Sequence, residues 1–218
     1  MNTYDGHREY STLDRLLMAI DDGVRTVFGR PPSTGRAAPD TGIAETPLSD
    51  ADRRVSEGLM RVNHTGEICA QALYSAQALT ARNAEVRQRM QRAAAEENDH
   101  LIWCESRVHE LGGHLSYLNP LWYAGSFAIG ALAGLAGDRW NLGFVVETER
   151  QVEGHLDEHL QRLPEEDAKS RAILAQMRID EGNHAEMAQR AGAVDLPAPI
   201  RRLMKLQSKV MTTVAYWI

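Results

Sequence analysis

Apolar residues recur every three or four positions through most of this chain, a spacing that puts them on one face of an α-helix of about 3.6 residues per turn. Residues 12–28 predict a short amphipathic helix with Leu13, Leu16, Leu17, Ile20, Val24 and Val27 on one side. Residues 29–47, GRPPSTGRAAPDTGIAETP, break the pattern and read as a Pro/Gly-rich linker. Four longer helices are then expected. The first opens at Ser49, a suitable N-cap, and runs to about Arg82; the second spans about 84–111 and stops at Gly112-Gly113. The third covers about 141–162, before Pro164, and the fourth about 165–191, before Gly192. A last helix follows Pro197 and Pro199, and nothing alternates convincingly as a strand.

The short turns at 82–84 and 162–165 imply two antiparallel helix pairs joined by a long crossover. That crossover is unusual in composition. Leu115 to Gly137 is a run of 23 residues without a formal charge, LSYLNPLWYAGSFAIGALAGLAG. Its length reaches that of a membrane span, but Asn119-Pro120 interrupts it and its Ala/Gly content makes it mildly hydrophobic. The reading preferred is an interfacial segment, or the lip of an apolar channel, with Trp122 and Tyr123 near lipid headgroups. The alternative is a crossover helix buried over the bundle.

Four positions on the apolar stripes are acidic instead. Glu97 follows Met90, Ala93 and Ala94 and precedes Leu101; Glu181 lies between Met177 and Ala188. Glu67 shares its stripe with Leu59, Val62 and Tyr74, and Glu149 shares one with Val145, Val146 and Val152. Glu97 and Glu181 each open a Glu-x-x-His motif, Glu97-Asn98-Asp99-His100 and Glu181-Gly182-Asn183-His184, with Glu67 and Glu149 lying 30 and 32 residues upstream of them. Residues i and i+3 share a helix face, so each Glu and His can reach one ion together. Four Glu and two His form the ligand set of carboxylate-bridged dimetal sites in ferritin-like four-helix bundles.

Charge supports this reading. Four carboxylates facing one core would raise one another's pKa, and an unpaired buried charge costs several kcal/mol or more. Two divalent ions bring +4 against −4. Hard oxygen donors and two imidazoles suit iron or manganese, and the ligands alone do not separate the two. Of the neighbouring acids, Glu147 falls on the wet side with Gly143, Gln151, Gly154 and Glu158, and Glu153 is the nearer rival one turn from Glu149. Glu149 is preferred because it lies more centrally on the stripe. The acids just before each motif, Glu96 and Asp180, are candidates to hold the His of the opposite motif; solvated surface acids are the bland reading.

Composition adds limits. The net charge of −6 argues against a nucleic-acid binder working through a broad basic face. Cys69 and Cys104 read as small buried residues in a reducing compartment. MNTYDGHREY has no basic segment followed by an apolar run, so no secretory signal is expected, and the Asn63-His64-Thr65 triplet falls mid-helix. The C-terminal stretch sets Arg201, Arg202, Lys205 and Lys209 beside Leu203, Leu206, Val210 and Trp217. A basic amphipathic helix is drawn to an anionic bilayer, although an ordinary docking helix fits this segment equally well.

The segments LMRVNHTGEICAQALY, AAAEENDHLIWCESRVHELGG, FVVETERQVEGHL and MRIDEGNHAEMA, in that order around the apolar crossover, resemble the demethoxyubiquinone hydroxylases. These are the 2-polyprenyl-3-methyl-6-methoxy-1,4-benzoquinol monooxygenases of ubiquinone biosynthesis. The resemblance covers roughly residues 12–218, and the opening DRLLMAIDDGVRT is similar to bacterial members. It implies an all-α, ferritin-like four-helix bundle with a long apolar crossover and extra terminal helices. Residues 1–48 would carry the N-terminal helix and linker, and 49–218 the di-iron domain. It implies two iron ions per chain on Glu67, Glu97, His100, Glu149, Glu181 and His184, with Glu97 and Glu181 bridging. His155 matches a family histidine near the site, with a role beyond the ligand shell.

The implied activity is O2-dependent hydroxylation of the benzoquinol ring of a polyprenylated demethoxyubiquinol, on the cytoplasmic face of a bacterial cell membrane. Electrons would come from outside the dimetal site, with other ubiquinone-biosynthesis proteins as possible partners; the chain has no dinucleotide fingerprint. The rival readings are another ferritin-like dimetal oxidase or hydroxylase, a non-enzymatic iron-binding or storage protein, and a membrane-associated assembly protein with structural metal.

Overall fold

A computed structural model describes residues 11–218; the segment read as lacking a secretory signal lies outside the described residues. Seven helices follow in order: α1 (Thr12–Phe28), α2 (Asp50–Thr80), α3 (Ala84–Glu110), α4 (Asn119–Leu135), α5 (Asp138–Arg162), α6 (Ala168–Arg190) and α7 (Ala198–Ala215). No strand occurs among the described residues. The long helices α2, α3, α5 and α6 form the bundle, α2 against α3 and α5 against α6. Helix α4 lies along α2, while α7 packs on α2 and α5.

Side chains set the helix ends. Ser49 caps α2 by accepting the Asp52 N–H, and Asn83 caps α3 by accepting from Glu85 and Val86. Asp138 accepts the N–H groups of Arg82 and Asn83, pinning the α2–α3 turn to the start of α5. Gly112 and Gly192 take positive φ just past α3 and α6, where an L side chain would be strained. Three expected boundaries move. Helix α2 stops at Thr80; α5 begins at Asp138, earlier than expected; and α6 begins only at Ala168, because Asp167 caps it by accepting the Ser170 N–H.

The reading of Asn119-Pro120 as an interruption is corrected. The pair opens α4, with Pro120 in the first turn, where its missing N–H leaves no intrahelical bond unmade. The resulting helix has 17 residues, and no helix among the described residues is long and apolar enough to cross a membrane. Its small residues face inward: Ser126, Gly130 and Gly134 are buried, while Leu121, Leu132 and Leu135 are exposed. A Cβ on Gly130 would stand 2.7 Å from the Leu73 carbonyl oxygen, so the Ala/Gly content lets α4 approach α2 at backbone distance. The crossover therefore covers the bundle and also presents an apolar outer face.

Two apolar clusters fill the bundle. One gathers Leu59, Trp103, Val108, Leu156, Leu174 and Met177; the other gathers Met90, Ala93, Leu142, Val145 and Val146. Fully burying side chains of this size stabilises by about 1.5–3 kcal/mol each relative to exposure. Both cysteines are buried and free. Residues 29–49 form no helix, yet they lie against α3 and α6 through side-chain bonds: Ser33 and Thr34 donate to Asp99, and Arg107 pairs with Glu45.

Gly130→Val should destabilise the fold by about 1–3 kcal/mol in urea unfolding, because the added carbons meet backbone and not a movable side chain. Gly125→Ala, in the same helix and with nothing within 4 Å of the added Cβ, should instead stabilise by about 0.5–1 kcal/mol. A second expectation concerns His64, buried on α2 with no hydrogen-bond partner for Nδ1. Burial, helped by the charge of His109, lowers its pKa from 6.5 to about 3. The unfolded chain takes up this proton first, so the associated stability is complete above 6.5 and is lost as pH falls toward 3. His64→Gln should flatten the plot of unfolding free energy against pH by up to about 1.4 kcal/mol per unit across that window.

Candidate metal centre

Each bundle helix brings its acidic interruption to one level, between the two apolar clusters. Helix α2 supplies Glu67, α3 supplies Glu97 and His100, α5 supplies Glu149, and α6 supplies Glu181 and His184. None of the six is more than 3% exposed. They converge as two groups of four: Glu67, Glu97, His100 and Glu181, and Glu97, Glu149, Glu181 and His184. Within each group, one ligand atom per residue lies within 4.8 Å of every other. Glu97 and Glu181 belong to both groups, as bridging carboxylates must.

The imidazoles present Nδ1 to the centre. His100 Nδ1 stands 2.8 Å from Glu97 and 3.3 Å from Glu181, and His184 Nδ1 stands 3.0 Å from Glu97 and 3.5 Å from Glu181. Despite these approaches, both Nδ1 atoms, both Glu97 oxygens and one oxygen each of Glu67 and Glu181 are buried without a hydrogen bond. Buried polar atoms normally find partners. Donors that converge without bonding one another fit coordination of cations, and the hard O/N set fits two divalent ions of the iron or manganese type.

The far nitrogens point outward to the acids preceding the motifs. His100 Nε2 is 2.9 Å from Asp180, and His184 Nε2 is 2.7 Å from Glu96. Each acid thus meets the His of the opposite motif, crossing from α6 to α3 and from α3 to α6. Such a bond leaves Nδ1 as the free donor and fixes the ring plane.

Burial and mutual charge shift the acids and the imidazoles away from their ordinary values. Burial, followed by the pull of nearby negative charge, keeps Glu149 well above the usual carboxylate range. Burial does the same to Glu67, although His100 opposes it. His100 is held well above its ordinary value: burial works against the charged ring, but Glu97 and its other carboxylate neighbours outweigh it.

Other expected residues lie outside the cluster. Glu153 is half-buried and joins neither group of four. Glu147 also joins neither group, but its reading as a wet-side residue is corrected: it is 9% exposed and accepts a hydrogen bond from Gln151 one turn along α5. His155 makes no contact with the six; its Nε2 lies 2.9 Å from Ser208 on α7. It lines an apolar cavity of about 90 Å³ between α2, α5 and α7, walled by Val62, Phe144, Val152 and Met211 and reaching Glu67. Tyr74 was read only as an apolar stripe position, yet its phenol donates a hydrogen bond to Glu149. Its place seven residues after Glu67, with a hydroxyl that needs a partner once buried, was the available signal.

The bundle and its paired carboxylate–histidine groups define a ferritin-like protein with a dimetal-type site. Among solved structures, a dodecameric, bacterioferritin-related thioferritin from Bacteroides fragilis aligns with a TM-score of 0.54. The alignment covers 63% of this chain and 84% of that one at 19% identity, a likeness of fold. The family model for "Ubiquinone biosynthesis protein COQ7" matches residues 54–215. The 3-demethoxyubiquinol 3-hydroxylase of Nitrosococcus oceani is 60% identical, with 97% of this chain and 99% of that protein covered. That of Chromobacterium violaceum is 58% identical, with 94% and 98% covered. The chain belongs to the COQ7 family of ubiquinone biosynthesis proteins.

Sharing of Glu97 and Glu181 sets an expectation for metal content after anaerobic reconstitution and desalting. Glu97→Ala and Glu181→Ala should lose both ions, since each removes a donor from both groups. Glu67→Ala and Glu149→Ala should each retain about one equivalent, as each affects one group alone.

Proposed function

We propose that this chain hydroxylates the ring of a polyprenylated demethoxyubiquinol, using O2 and two iron ions held by Glu67, Glu97, His100, Glu149, Glu181 and His184. The observation that carries this reading is the pair of four-donor groups sharing Glu97 and Glu181, with Glu67 of one group lining an apolar cavity. The names of the relatives, which cover nearly the whole chain, support the substrate class. Iron supplies the capacity to activate O2, which no side chain of the site possesses.

The protein's own residues hold and shield. Asp180 and Glu96 fix the imidazole planes, so that both Nδ1 atoms face inward. Tyr74 donates to Glu149 and restrains that carboxylate. Phe144, Val152 and Met211 exclude water and accept a flat apolar ring beside Glu67. Ser126, Thr148 and Gln151 line the same cavity and offer polar atoms to ring oxygens.

An isoprenoid tail resists leaving lipid, at about 0.8 kcal/mol per CH2 exposed. The reading therefore includes peripheral attachment to the cytoplasmic side of a bacterial cell membrane. Three outer helices support it: α1 exposes Leu13, Leu16, Leu17, Ile20 and Val24, α4 exposes Leu121, Leu132 and Leu135, and α7 exposes Leu203, Leu206 and Val210. Exposed Arg201, Arg202, Lys205 and Lys209 on α7 suit an anionic headgroup layer. The electrons the reaction consumes must come from a donor outside the six ligands.

Purified protein loaded with Fe(II) should sustain O2 consumption over many turnovers only when given reductant and a short-chain demethoxyquinol. Mass analysis should find the quinol one oxygen atom heavier, with the oxygen drawn from labelled O2, and Glu181→Ala should abolish the product. O2 uptake that leaves the quinol unchanged would sink the hydroxylase reading. For attachment, Leu16→Glu and Leu203→Glu should each weaken co-sedimentation with anionic vesicles about tenfold or more, as expected for one leucine no longer entering lipid. Unchanged sedimentation of the double variant would remove the membrane reading.

A further inference from the structure

The residues between Glu97 and His100 do work that their counterparts between Glu181 and His184 do not. Asp99 is fully buried and accepts from Ser33 Oγ at 2.7 Å, from the Thr34 N–H at 2.9 Å and from the Thr34 hydroxyl. Asn98 donates to the Pro32 carbonyl at 3.1 Å. The first motif thus clamps residues 32–34 of the linker onto the back of α3. Two residues further on, the Arg36 guanidinium lies 5.1 Å from the centre of the Trp103 ring and donates to Asp180 Oδ2 at 2.6 Å. That same oxygen is the partner of His100 Nε2 at 2.9 Å, and Gln176 holds the other Asp180 oxygen at 2.9 Å. In the second motif, Asn183 is exposed, and Glu96, with a 46% exposed side chain, has His184 as its ion-pair partner and no cationic side chain beside it among the described residues.

From this asymmetry we infer that Arg36 is a positioning residue, acting through Asp180 on His100, and that it makes the two metal positions unequal. The inference rests on the dimetal reading above. The position of Glu67 and His100 is the pre-organised one, because Asp180 is tied from three sides and its ring partner has little freedom left to lose when an ion binds. The position of Glu149 and His184 depends on a solvent-facing carboxylate with a single tie. The rigid position is also the one whose Glu67 borders the apolar cavity. The linker, remote in sequence from every ligand, thereby becomes part of the metal centre.

The test is anaerobic titration of metal-free full-length protein with Co(II), followed by calorimetry and visible absorption. Wild-type protein should take two equivalents in two resolved steps. Arg36→Gln should weaken the tighter step about tenfold, the lower end for loss of a residue supporting a ligand, and leave the weaker step in place. Arg36→Lys should restore most of the loss, and Glu96→Gln should act on the other step. In an Asp180→Asn background, Arg36→Gln should have no further effect on metal binding, whereas a residue serving only to pin the linker would still change stability there. Two indistinguishable wild-type steps, equal weakening of both steps by Arg36→Gln, or an Arg36→Gln effect that persists without Asp180 would each overturn the inference. Failure of wild-type protein to take up two equivalents would instead overturn the dimetal reading and is visible before any variant is made.

Discussion

Six ionisable side chains meet in the middle of a helical bundle, almost sealed from water, and the rest of the architecture follows from accommodating them. Taken alone, four carboxylates at this depth would repel one another and lose hydration worth several kcal/mol each. Protons on the imidazoles and the outer carboxyls relieve part of this, and cations relieve it fully. The apolar clusters above and below the site supply the stability that lets the bundle carry such a layer. Were the donors hydrogen-bonded to one another, the arrangement would be a buried salt-bridge network. Six of their oxygen and nitrogen atoms are instead buried without a hydrogen bond, which fits a coordination shell.

Holding that shell requires a second ring of contacts, and this ring is where the two halves of the bundle diverge. The pairing of α2 with α3 and of α5 with α6 repeats one plan, a lone Glu and then Glu-x-x-His. The acids before each motif cross between halves, so each imidazole on one pair is oriented by the other. This cross-bracing ties α3 to α6 at the level of the buried carboxylate–histidine cluster. The approximate twofold relation ends outside it, because Asn98-Asp99 captures the linker and Gly182-Asn183 does not.

Much of this was legible in the sequence because the signals are periodic. Glu67, Glu97, Glu149 and Glu181 stand out as acids on apolar stripes, and the i, i+3 spacing to His100 and His184 needs only helix geometry. Helix existence was equally plain except for α4, where Asn119-Pro120 looked like an interruption and is in fact the first turn; the ends were less so, since Asp167 and Asp138 act through contacts that pattern alone does not display. The linker was opaque for a physical reason. Its order comes from single hydrogen bonds to Asp99 and Asn98 and from Arg36 on Asp180, and such bonds leave no periodicity behind. Tyr74 was hidden differently: an aromatic residue on an apolar stripe looks like core until its hydroxyl is seen against Glu149.

The outer helices explain why an apolar crossover belongs in a bundle that has no need of it for its own core. Helix α4 turns Ser126, Gly130 and Gly134 toward α2 and so reaches backbone contact without bulky side chains. Its leucines are left facing outward, as are those of α1 and α7. Exposed leucines on one helix would be unremarkable, but three amphipathic helices leaving their apolar sides uncovered amount to a surface that water does not favour. The cavity beside Glu67 is bordered by α7, so the same helix that offers leucines outward closes the route inward. Under the proposed function, a lipid-bound ring would reach Glu67 through this cavity, its tail remaining in the phase that suits it. On this view, the charge buried at the centre and the hydrophobic surface left bare outside answer one problem, that of bringing an insoluble substrate to a hydrophilic set of ligands.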